Sequence, residues 1–82
     1  MYKIIERIYT DEKTAENMWF EANKDLAIEL ARRLAHATDL QKRSEINRVI
    51  YFIEDTKNNK DLLKISCTLD VTGSTILEEE EK

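Results

Sequence analysis

The sequence predicts an α+β fold: a small antiparallel sheet of three to four strands packed against one main helix, in ββαββ or βαββ order. Three observations predict it. Residues 24–37 repeat apolar side chains at helical spacing, residues 48–71 hold two β-prone runs around a polar turn, and residues 2–9 form a third β-prone run. The alternative is a mostly α chain with a short hairpin, in which Ile46, Val49, Ile50 and Ile53 continue a longer helix.

Taken in order, residues 2–9 place Ile4 and Ile8 on one strand face and Ile5 and Tyr9 on the other. Residues 10–14 read as a turn. Residues 15–22 fit two readings. As a strand, Met18, Phe20 and Ala22 share a face and Trp19 takes the other. As a helix, Ala15, Met18, Trp19 and Ala22 extend the stripe of Leu26, Leu30 and Leu34, with Thr14 as cap. The aromatic content and the capping residue Asn23 favour a strand ending at Ala22, hairpinned to the first.

Residues 24–37 carry Leu26, Ala27, Leu30, Ala31, Leu34 and Ala35 on one stripe. The alanine row makes that edge of the helix thin, so its axis can approach a sheet closely. Asp25 and Glu29 come early and Arg32, Arg33 and His36 late, which complements the helix dipole. Residues 38–47 are polar, and Thr38 and Gln41 have capping-box spacing for a short helical turn.

The arms of the 48–71 hairpin differ. On 62–71, Leu63, Ile65, Cys67, Leu69 and Val71 alternate with a mostly polar face. On 48–55, Val49, Tyr51 and Ile53 make one apolar face, and Ile50 and Phe52 make the other. One helix covers one face of a small sheet, so this arm offers more apolar surface than the helix can use. After a turn at Thr72-Gly73-Ser74, residues 75–77 read as a short edge strand. The expected domain spans residues 1–77, with 78–82 an acidic mobile tail.

A chain of 82 residues is one small domain. A single cysteine excludes an internal disulfide, and one histidine argues against a Cys/His metal cage. With one glycine and no proline there is no phosphate-cradling loop. No apolar run has the length of a membrane span, and residues 1–20 lack the apolar core of a leader, so a reducing cytoplasm is expected. Cys67 falls on the apolar strand face and His36 at a helix end among arginines, a poor nucleophile–base pair. No catalytic residue, metal or cofactor is expected, and an enzyme is the least favoured class.

Two functional readings remain. The first is a small non-enzymatic protein-interaction module, an inhibitor or regulator of a partner protein, with homodimerisation as a companion expectation. Trp19, Phe20, Ile50, Tyr51 and Phe52 are its candidate interface. A phage or mobile-element protein that blocks a host factor has this size and type. The second is a nucleic-acid-binding regulator. It would use Arg32, Arg33, Lys42, Arg43 and Arg48, a basic island whose flanks are acidic in a chain of net charge −4.

Overall fold

The computed structural model describes residues 1–82. Five strands and one long helix follow each other as β1 (Tyr2–Thr10), β2 (Thr14–Glu21), α1 (Lys24–Ala37), β3 (Ile46–Asp55), β4 (Lys60–Leu69) and β5 (Thr75–Glu81). A single 3₁₀ turn, Leu40–Lys42, lies between α1 and β3. The sheet is antiparallel throughout, in the order β2-β1-β3-β4-β5.

This corrects the expected fold class. The sheet has five strands rather than three to four, 54% of the chain is strand, and α1 is the only long helix, so the mostly α alternative is excluded. The difference arises at the end of the chain, since the sequence already favours the second strand. Thr14–Glu21 pair along their length with β1, and Asn23 accepts from the Leu26 N–H at 3.1 Å, so the helix starts after the strand ends. Residues 78–81, expected as a tail, instead form most of β5 and pair with Leu63–Ser66. Glutamate has poor strand propensity, but the free edge of β4 supplies a template and Arg32 supplies a counter-charge to Glu79.

Local chemistry sets the turns. Between β3 and β4 the Asp55 carboxylate accepts from the N–H groups of Lys57 and Asn58, and Asn59 takes φ 54°, a left-handed conformation that asparagine tolerates. Between β4 and β5 the Asp70 carboxylate accepts from the N–H groups of Thr72 and Ser74, and Gly73 takes φ 87°. The Asn58 side-chain amide donates to Asp55 at 2.7 Å and the Thr72 hydroxyl to Asp70 at 2.6 Å, and these bonds, with the backbone ones, hold both carboxyls below the usual carboxylate range. Val71, expected on the buried face of the second hairpin arm, lies in this turn and is fully exposed. The capping expectation at Thr38 also changes. Asp39 caps the 3₁₀ turn by accepting from Gln41 N–H, while Thr38 closes α1 with its backbone N–H on Ala35 O and its hydroxyl 2.9 Å from Leu34 O.

The core lies between α1 and one sheet face. Ile4, Val49, Tyr51, Ile53, Leu63, Ile65 and Cys67 face the helix, and Leu40 and Ile46 complete the cluster. From the helix only Ala27, Ala31 and Ala35 are fully buried, so the small-residue row is the seam and the backbone sits close to the sheet. Ile28, Leu30 and Leu34 flank that seam, half-buried. The Cα atoms span 39 × 23 × 18 Å, and the shortest axis accommodates only a helix layer and a sheet layer.

Candidate functional site

With the helix on one side, the alternation of each strand sends the other residues to an uncovered face. The register across β2, β1, β3, β4 and β5 lines up Met18, Ile5, Phe52, Lys64 and Glu80 in one row. The next row is Glu16, Arg7, Ile50, Ser66 and Glu78, and Phe20 stands beside Lys3 on the other flank. Phe20 is 60% exposed and Met18 48% exposed, while Ile5 and Phe52 are half-buried. They form an apolar strip from the sheet's β2 edge to its centre.

Two arginines partly roof this face. Arg7 donates from Nε to Glu16 Oε2 at 2.5 Å and lays its guanidinium 4.9 Å from the centre of the Phe52 ring. Arg48 lies 4.3 Å from the centre of the Tyr9 ring. Contacts of this kind at exposed sites are worth about 0.5–1 kcal/mol each, so an incoming surface can displace them. Their stems also cover apolar side chains, and Ile50, although on this face, is only 4% exposed.

The five residues expected at an interface therefore separate. Phe20, Phe52 and Ile50 share the open face, with Ile50 sealed beneath its neighbours. Trp19 pairs with Ile4, faces the helix and is half-buried. Tyr51 points into the core and is buried, so it is unavailable to a partner. Its hydroxyl donates to Glu6 Oε2 at 2.7 Å and lies 2.7 Å from Thr38 Oγ1. Burial raises its phenol well above the usual tyrosine range. Sequence reasoning missed Ile5 and Met18 as members of the strip. The signal was present in the alternation of β1 and β2, once β2 was read as a strand in register with β1.

The basic island is dispersed. Arg32 forms a two-bond pair with Glu79 at 2.8 and 2.9 Å, and Arg33 donates to Glu29 at 2.6 Å. Lys42 lies 3.9 Å from Asp39, Arg43 lies 4.0 Å from Glu45, and Arg48 is on the opposite side of the sheet from Arg32. The five cations share no surface, and four of them have a carboxylate beside them.

The reactive side chains do not assemble either. Cys67 is buried, its thiol lies 3.9 Å from Ala35 O, and burial pushes it up to about 11. His36 is exposed on the helix beside Arg32 and Glu79. No three His, Cys, Asp or Glu residues converge in metal-holding geometry, and no buried side-chain nitrogen or oxygen lacks a hydrogen-bond partner. No helix is long and apolar enough to cross a membrane.

No family model, curated protein or solved structure matches this chain.

Proposed function

We propose that this protein is a non-enzymatic interaction module that binds a partner protein through the open face of its sheet, and so inhibits or regulates it. The observation that carries the reading is the uncovered strip of Phe20, Met18, Ile5 and Phe52 on a face with no helix above it. Aromatic and methionine side chains ringed by charges have the composition of an interface core and rim. The alternative reading through Arg32, Arg33, Lys42, Arg43 and Arg48 loses its support because these cations do not gather on one surface and four of them lie beside a carboxylate. The buried thiol of Cys67 suits a reducing compartment, and a cytoplasmic setting belongs to the same proposal.

The test compares capture of host proteins by the tagged wild type with capture by an Ile5→Ser, Phe52→Ser double variant and by Leu26→Ser on the helix side. The expected result is a partner held by the wild type and by Leu26→Ser but lost from the double variant, with all three folded by circular dichroism. Equal capture by all three, or capture of nothing, refutes the proposal.

A further inference from the structure

The two edges of the sheet are built differently. Along β5, Glu79 and Glu81 alternate with Glu78 and Glu80, and Arg32 leans over from the helix. A second β5 laid against this edge would set glutamates opposite glutamates, and such charge is how proteins keep edge strands from pairing. Strand β2 has no such guard. Its middle, Met18-Trp19-Phe20, carries no charge, and its carboxylates stand outside at Glu16 and Glu21.

The backbone phase at β2 follows from its hairpin. Thr10 N–H donates to Lys13 O at 2.9 Å, so Thr10 and Lys13 are a hydrogen-bonded pair. Regular antiparallel alternation then turns the N–H and C=O groups of Ala15, Asn17 and Trp19 toward β1. Those of Glu16, Met18 and Phe20 point outward, away from the sheet. Apolar side chains flank this open ladder on both sides. Met18 and Phe20 lie on the open face, and Trp19 lies on the helix face. The helix ridge of Leu26, Leu30 and Leu34 is on the β1–β2 side, because Leu34 lines a groove with Glu6 and Ile8 while Ile28 lies beside Leu62 and Leu63. Leu26, on that ridge, is 51% exposed.

From this we infer that β2 pairs antiparallel with β2 of a second copy, in a two-fold dimer whose axis passes between the two Trp19 residues and whose sheet runs continuously through both chains. The side chains decide the register. With Trp19 opposite Trp19, Met18 falls opposite Phe20 twice, and each of these pairs exchanges backbone hydrogen bonds through the groups that point outward. Asn17 then meets Glu21, Glu16 meets Ala22, and no carboxylate faces another. Moving the axis one residue either way sets Glu16 against Phe20 or Glu21 against Trp19, a carboxylate against a large apolar side chain. The dimer is isologous and closed, because it leaves the guarded β5 edges outermost.

This inference does not rest on the open face binding another protein, and the same variants separate the two. Light scattering after size exclusion at millimolar concentration should give twice the chain mass of 9.7 kDa. Met18→Pro removes an N–H that points outward and spares the β1–β2 ladder, and Phe20→Lys places a charge in the pairing row. Each should weaken the dimer about tenfold or more and leave a folded monomer. Glu81→Lys at the other edge, and Ile5→Ser with Phe52→Ser on the open face, should leave the dimer intact. The register is read directly with Asn17→Cys combined with Glu21→Cys. These positions form a close, non-hydrogen-bonded pair across the axis, and mild oxidation should link two chains. The link should vanish when Phe20→Lys is added. A wild-type monomer at millimolar concentration, a dimer untouched by both Met18→Pro and Phe20→Lys, or a dimer in which the paired cysteines never link would overturn the inference.

Discussion

Replacing Tyr51 by phenylalanine removes one oxygen from the centre of the molecule and tests what ties the end of α1 to the sheet. The Tyr51 hydroxyl donates to Glu6 Oε2 at 2.7 Å and accepts from Thr38 Oγ1 at 2.7 Å, and Thr38 Oγ1 also lies 2.9 Å from Leu34 O. A hydrogen bond to a carboxylate contributes about 1.5–3 kcal/mol and a neutral one about 0.5–1.5 kcal/mol. Neither partner is stranded by the change. Glu6 keeps its bond from Asn17 Nδ2 at 2.9 Å, and the Thr38 hydroxyl turns its proton to Leu34 O, 2.9 Å away. The cost is therefore about 2 kcal/mol, against a total of roughly 4–12 kcal/mol for a chain of this length. Thermal unfolding should shift down by roughly 8–16 °C, and the urea midpoint should fall with an unchanged slope. Urea titration followed by circular dichroism measures it, and a Thr38→Val cycle isolates the shared bond. In the phenylalanine background Thr38→Val should cost about 0.5 kcal/mol less, or better, than in wild type. A Tyr51→Phe protein within about 0.5 kcal/mol of wild type, or a strictly additive cycle, would refute this account of the network.

Two further outcomes follow from packing and burial. Ala31 is 1% exposed at the seam between helix and sheet, so Ala31→Leu should lift the helix and cost about 1–3 kcal/mol in the same urea assay, whereas a stabilised variant would mean the seam has slack. The Cys67 thiol is held near 11 in the fold, while an unfolded thiol titrates at about 8.5; its contribution to stability is thus present below about pH 8.5 and declines as pH rises toward 11. Cys67→Ala should flatten that part of the stability–pH curve, and a bulky thiol reagent should react far more slowly with the native protein than with the urea-unfolded chain.

Much of the fold was legible because its signals are local. The i, i+4 rows of residues 24–37, the period-two alternation of Leu63, Ile65 and Cys67, and the Asn-containing turn between the hairpin arms each depend on residues close in sequence. The thin alanine row even indicated how closely the helix would sit. Residues 15–22 could be read either way because Met18, Trp19 and Ala22 satisfy both periods. Pairing with β1 decides it, and the Asn23 cap fixes where the helix begins. The acidic end misled for the same reason. Four glutamates in a row read as a solvated tail until β4 and Arg32 are placed beside them.

The candidate surface was only half legible. The sequence by itself determined that the first hairpin arm has two apolar faces, that one helix cannot cover both, and that a lone cysteine leaves no internal disulfide. Only the tertiary structure decided which face the helix takes. It sends Val49, Tyr51 and Ile53 inward and leaves Phe52 with Ile5, Met18 and Phe20 outside. It also decided that Arg7 and Arg48 fold over that surface, that the basic island is split between two sides of the sheet, and that β2 rather than β5 is the unguarded edge. The physical reason is common to all of these. Periodicity states that a strand has two faces, but which face is buried depends on contacts between residues far apart in the chain.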